Sequence, residues 1–141
     1  RMPVMKARSI WIGKYRSVLD NLRGHSVVVD LPPAKNGEDT GATALELAVM
    51  ALAGCVTTIF KIVAEKRKLD YKNLNVVVEA EQPEGEKTIT NFKAALEIET
   101  DAKKEDVERV LRLTLDICPV GLIFDKAGIK GEWEVKVKSP T

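Results

Sequence analysis

Residues 43–68 are apolar nearly all the way round a helix, and that one stretch limits what the chain can fold into. Leu45, Leu47, Val49, Met50, Leu52, Val56, Ile59, Phe60, Ile62 and Val63 fall on every side of a helix with about 3.6 residues per turn. An ordinary surface helix shows one apolar stripe, so a helix like this has to be covered all round. A chain of 141 residues, 45% hydrophobic, is long enough for one well-buried core and too short for two. The few strands it can spare cover such a helix poorly. The sequence therefore predicts a homodimer sharing its two long helices at the centre. Glu46, Thr57, Thr58 and Lys61 interrupt the run, which for that reason does not read as a membrane span. Thr43 caps the helix, with Glu46 three residues on completing a capping box. The basic 66–68 stretch suits the negative end of the helix dipole.

The rest of the chain reads as short strands and helices. Residues 6–15 alternate loosely with aromatic and β-branched side chains and predict a strand. Residues 16–20 predict a second, 21–24 a turn, and 25–30 a third around Val27, Val28 and Val29. Residues 31–41, rich in Pro and Gly, form a loop long enough to cross to a second subunit. Residues 74–81 and 87–100 predict a hairpin, with Phe92, Ala94, Leu96 and Ile98 facing the core. Asp101 is expected to cap a second helix running to about Cys118. A short helical turn over 119–126 and a last strand over 132–138 complete the order. Strands grouped between helices indicate an α+β fold with antiparallel sheets, in a single domain over residues 1–141.

Charge and composition exclude several functions. Lys and Arg total 22 against 21 Asp and Glu, a net charge of +1, so no overall field draws in nucleic acid or an anionic membrane. One His and two widely separated Cys argue against a zinc site, and no metal or cofactor is expected. No charged leader with an apolar core opens the sequence, which makes a cytoplasmic setting the expectation. In that compartment cysteines tend to be catalytic, redox-sensing or simply buried.

Cys55 lies in the apolar helix and Cys118 directly precedes Pro119. A thiol at a helix start faces free backbone N–H groups and the positive end of the dipole, which favours thiolate at Cys118. A thiol in the middle of a buried helix has its pKa raised unless a cation is near, so electrostatics alone makes Cys118 the more acidic of the two. The competing reading is two unrelated buried thiols, each behaving as a small apolar side chain.

Several segments together resemble the OsmC / organic hydroperoxide resistance family, on its OsmC-like branch. They are Gly24-His25, Val27-Val28-Val29-Asp30, the loop with Gly37-Glu38-Asp39-Thr40-Gly41, Leu45-Glu46-Leu47, Ala51-Leu52-Ala53-Gly54-Cys55, Leu74-Asn75-Val76 and Cys118-Pro119-Val120. The resemblance implies an OsmC-like fold and an intertwined homodimer with two active sites at the interface. It also implies a thiol peroxidase. Cys55 would attack an organic hydroperoxide and become a sulfenic acid, Cys118 would close a disulfide with it, and a small dithiol or lipoyl-type reductant would reopen the bridge.

The resemblance further implies a Glu and an Arg beside the attacking thiolate. The hydroperoxide-resistance branch carries its Glu ten positions before the first Cys, where this chain has Leu45. Glu46 stands nine before Cys55, half a turn out of phase and about 13.5 Å away along a straight helix. It can therefore serve only the partner's Cys55, or act simply as a helix cap. Arg23, in the turn before Gly24-His25, is the candidate arginine, with Arg8 and Arg16 as alternatives. A surface role competes for each. His25 reads as a strand-start or surface residue, and Trp11 and Trp133 as core or interface residues. Two functions follow: a cysteine peroxidase acting against oxidative stress, or a non-enzymatic redox-sensing or small-molecule-binding module of the same fold.

Overall fold

A computed structural model of the chain describes residues 3–140. The element order is β1 (Arg8–Gly13), β2 (Arg16–Asp20), β3 (Ser26–Val29), α1 (Ala44–Lys66), β4 (Asn73–Glu81), β5 (Asn91–Glu99), α2 (Lys104–Ile117), α3 (Pro119–Lys126) and β6 (Lys130–Lys138), with a 3-10 turn at Pro33–Lys35. The chain forms two compact units, one up to Ala48 and one from Val49.

In the first unit β1, β2 and β3 make an antiparallel sheet in that order, in register Ser9–Leu19–Val27 and Ile10–Val18–Val28. The β1–β2 turn places Gly13 and Lys14 at positive φ and is pinned by Trp11, whose Nε1 donates to Lys14 O at 2.8 Å. The next turn is organised by Asn21, whose Oδ1 accepts from the amides of Arg23 and His25 at 2.9 and 3.3 Å.

The loop after β3 is closed by one buried carboxylate. Asp30 accepts from the Leu31 amide at 2.7 Å, and from the Thr40 amide and hydroxyl at 3.0 and 2.7 Å. A Cβ on Gly37 would lie 1.9 Å from Leu31 O, so the loop folds back too tightly for any side chain there. The Thr40 hydroxyl and then the Thr40 amide hold the Asp30 carboxyl at a pKa of about 2, below its ordinary 3.8. A carboxyl depressed in the fold stabilises above its unfolded pKa, and that contribution is lost as pH falls through its folded value. Asp30→Asn is expected to lower the melting temperature by several degrees at pH 7. It should also flatten the decline in stability between pH 4 and pH 2, as followed by circular dichroism.

In the second unit β4, β5 and β6 form a sheet in that order. The β4–β5 pair is antiparallel over its full length, as the hairpin reading expects. The β5–β6 pair is parallel. The antiparallel expectation therefore holds for three of the four strand pairs. The exception has a simple cause: α2 and α3 carry the chain back to the starting edge, as a parallel neighbour requires. Phe92, Ala94, Leu96 and Ile98 all face inward. Leu52, Val56, Phe60, Val63 and Ala64 of α1 and Val107, Val110, Leu111 and Thr114 of α2 join them in the core. Phe92 meets Phe124 and Trp133 edge-on at 6.0 and 5.9 Å. A Cβ on Gly131 would lie 2.0 Å from the tip of the Phe92 ring, which accounts for glycine at that point of β6. Phe60 is 0% exposed, and its truncation in Phe60→Ala is expected to cost about 3–5 kcal/mol in urea unfolding.

Asp101 does not cap α2. The helix starts later, with Lys103 at the cap position and no side-chain bond there. The local turn is instead built by Thr100, whose hydroxyl donates to Asp70 O at 2.6 Å and accepts from the Ala102 amide at 3.1 Å. α1 stops at Lys66, two residues before Lys68 takes a left-handed φ of 57°. It has the length and the mean hydropathy, 2.1, of a membrane span. A buried stripe, Leu52-Val56-Phe60-Val63, nonetheless runs along it as in a core helix. Met50 and Ile62 on its other faces remain 55% and 42% exposed.

Candidate active site

α1 and the α2–α3 junction bring the two cysteines together, although the sequence separates them widely. Cys55 sits on α1, and Cys118 is at once the last cap of α2 and the first of α3, with Pro119 opening the next helix. Cys118 Sγ lies 3.0 Å from Cys55 Sγ and donates its S–H to it. Both thiols are free; Cys118 is wholly buried and Cys55 partly exposed. The separation is well beyond a bonded S–S length of about 2.05 Å and within reach of bond formation by a small shift.

Burial reverses the electrostatic expectation for Cys118. Removal from water, and then the S–H bond to Cys55, push its thiol up to about 11 from an ordinary 9.0. The amides of Gly121 and Val120, at the start of α3, pull the other way and do not overcome burial. The helix-start effect is present, but desolvation is larger. At neutral pH Cys118 is a protonated donor aimed at Cys55. That arrangement suits an attacking Cys55 and a resolving Cys118.

Glu46 completes the capping box read from the sequence. The Thr43 amide donates to Glu46 Oε1 at 2.9 Å, and the Glu46 amide to Thr43 Oγ1 at 3.0 Å. Arg23 lies exposed in the 21–24 turn. Arg8 is held by Asp20 at 3.0 Å. Arg16 is half-buried, 3.7 Å from Glu38, and its Nε is buried without a hydrogen-bond partner among the described residues. Glu38 also takes Lys14 at 3.3 Å. His25 Nδ1 meets Asn21 Nδ2 at 3.0 Å on an exposed turn, a surface position as expected. Trp133 packs against the core, while Trp11 is 71% exposed. Among the described residues no group of three His, Cys, Asp or Glu side chains could hold a metal ion.

The amides at the start of α3 were expected beside Cys118, but the sequence reading missed that burial outweighs them. It also missed the two cations, Lys14 and Arg16, gathered at Glu38. A cavity of about 660 Å³ between the end of α1 and the start of α2 is lined by Arg67, Tyr71, Thr100 and Arg109 among others, and neither cysteine lines it.

No curated protein sequence matches the chain. Its fold is shared with solved structures of low sequence identity. An OsmC-like protein from Mycoplasma pneumoniae superposes with a TM-score of 0.85 at 12% identity, covering 96% of this chain and 97% of the other. A putative osmotic stress induced and detoxification response protein from Psychrobacter arcticus 273-4 gives 0.79 at 17%, with 98% of each chain covered. The organic hydroperoxide resistance protein OsmC from Legionella pneumophila gives 0.72 at 15%, covering 96% and 98%. The model of the OsmC-like protein family matches residues 37–134, a span that holds both cysteines, and the chain belongs to that family.

Proposed function

We propose that the chain is a cytoplasmic thiol peroxidase that reduces organic hydroperoxides with Cys55 and Cys118. The observation that carries this reading is the 3.0 Å contact between a partly exposed thiol and a fully buried one that donates to it. Membership of the OsmC-like family supports it, as does the likeness to a protein described as an organic hydroperoxide resistance protein. Cys55 thiolate attacks the distal peroxide oxygen. The O–O bond breaks, the alcohol leaves with a proton, and Cys55 becomes a sulfenic acid. Cys118 sulfur then attacks Cys55 sulfur, its proton leaves with the hydroxide as water, and the S–S bond forms. A small dithiol or lipoyl-type reductant reopens that bond and is itself oxidised to a disulfide.

The active unit in this proposal is an intertwined homodimer in which Glu46 and an N-terminal arginine of one subunit serve Cys55 of the other. Arg23 was the sequence candidate. Arg16 has the stronger claim, because its buried Nε has no partner among the described residues. The test is consumption of cumene hydroperoxide with dithiothreitol as the electron source. Turnover that exceeds one equivalent per chain supports the peroxidase. A bridge that forms and reopens without hydroperoxide turnover favours the redox-sensing module instead.

A further inference from the structure

Closing a bridge between Cys55 and Cys118 would give an incoming thiolate two possible targets, and attack on either expels the other sulfur. The two sulfurs are not equally open. Cys118 is 0% exposed within its own chain, so its cover does not depend on any second subunit. Gly121 is part of that cover: a Cβ there would lie 3.5 Å from Cys118 Sγ, and 3.9 Å from Cδ1 of its other neighbour, Leu52. Cys55 is partly exposed.

We infer that the reducing dithiol attacks only Cys55 Sγ, and that Cys118 leaves as a thiolate received by the backbone N–H groups of Val120 and Gly121. The inference rests on the redox cycle proposed above and fixes the direction of its last step. One thiolate of the reductant bonds to Cys55 Sγ. The S–S bond breaks and its electron pair passes to Cys118 Sγ, which then takes a proton. The second thiol of the reductant gives up its proton, attacks its own sulfur in the mixed disulfide and displaces Cys55 as thiolate. The reductant departs as a cyclic disulfide, having supplied two electrons.

Two features favour this direction. Displacement at sulfur needs an approach opposite the leaving group, and around Cys118 the chain's own side chains occupy the surroundings. The leaving sulfur also meets a prepared site. In the reduced chain Cys118 is kept protonated partly by donating to Cys55. Once Cys55 is capped by the reductant it no longer takes that S–H bond, and the amides of Val120 and Gly121 remain to offset part of the burial cost of the departing thiolate.

The bridge is closed with diamide, so the test does not depend on peroxide chemistry. The oxidised protein is pulsed with 2-mercaptoethanol, quenched in acid, blocked with N-ethylmaleimide and mapped by peptide mass spectrometry. The expected product carries mercaptoethanol on Cys55 and maleimide on Cys118. An adduct on Cys118, an equal mixture, or failure of diamide to close the bridge overturns the inference. An adduct confined to Cys55 in a protein that consumes no hydroperoxide sinks the peroxidase reading alone. Gly121→Pro removes one of the two amides in the first helical turn, where proline is tolerated, and should slow bridge opening about tenfold. Gly121→Ala keeps the amide and should stay within about twofold of the parent. Equal rates for the two variants overturn the role given to the amides, and the mapping result stands whether or not Gly121→Pro folds.

Discussion

Cys55→Ser is expected to abolish dithiol-dependent consumption of cumene hydroperoxide, leaving no more than the background reaction. The hydroxyl is a far weaker nucleophile than a thiolate at neutral pH, and the remaining thiol, Cys118, is fully buried. Cys118→Ser should behave differently. Cys55 still attacks, so one equivalent of hydroperoxide is consumed per chain and a sulfenic acid persists, trapped by dimedone and seen by mass spectrometry. Turnover then depends on direct reduction of that sulfenic acid and becomes slow. The asymmetry between the variants is the informative result, because two merely structural thiols would give equal and modest effects. Unchanged peroxide loss in both variants would exclude the peroxidase.

Much of the fold was legible because local signals agree with the tertiary outcome. Thr43 and Glu46 mark the start of α1 and make the expected reciprocal bonds. The alternation at Phe92, Ala94, Leu96 and Ile98 sets the inward face of β5. What was not legible depends on distant residues. Whether β6 pairs parallel or antiparallel is decided by the route of α2 and α3 and leaves no mark on the strand itself. Asp101 has a cap-forming side chain, yet the Thr100 hydroxyl organises that turn and the helix begins later.

The site divides along the same line. A cysteine before a proline announces a helix start, which the structure has. Its acidity is set by tertiary packing instead, because burial outweighs the amides at the start of α3. The pairing of Cys55 with Cys118 was implied by family resemblance alone. No spacing rule relates a position inside one helix to the junction of two others. In the structure, both belong to the unit whose core the two longer helices share with the second sheet.

Replacing Met50 and Ile62 together by Arg is expected to turn the proposed dimer into a monomer in sedimentation velocity at micromolar concentration. These side chains of α1 are 55% and 42% exposed in the single chain, and a Cβ on Gly54 between them would meet no other described residue within 4 Å apart from the helix's own backbone and its chain neighbours. On a monomer the double change would be harmless or favourable, since it removes apolar surface from water. In the proposed dimer each apolar side chain contributes about 1.5–3 kcal/mol by burial, and two-fold symmetry counts every one twice. The introduced guanidinium groups would also be forced into a dry contact without partners. The loss of association should bring a lower melting temperature, and the parent's melting temperature should rise with protein concentration. A parent chain that sediments as a folded monomer at micromolar concentration would sink the dimer. A double variant that still dimerises would instead place these two faces of α1 outside the contact.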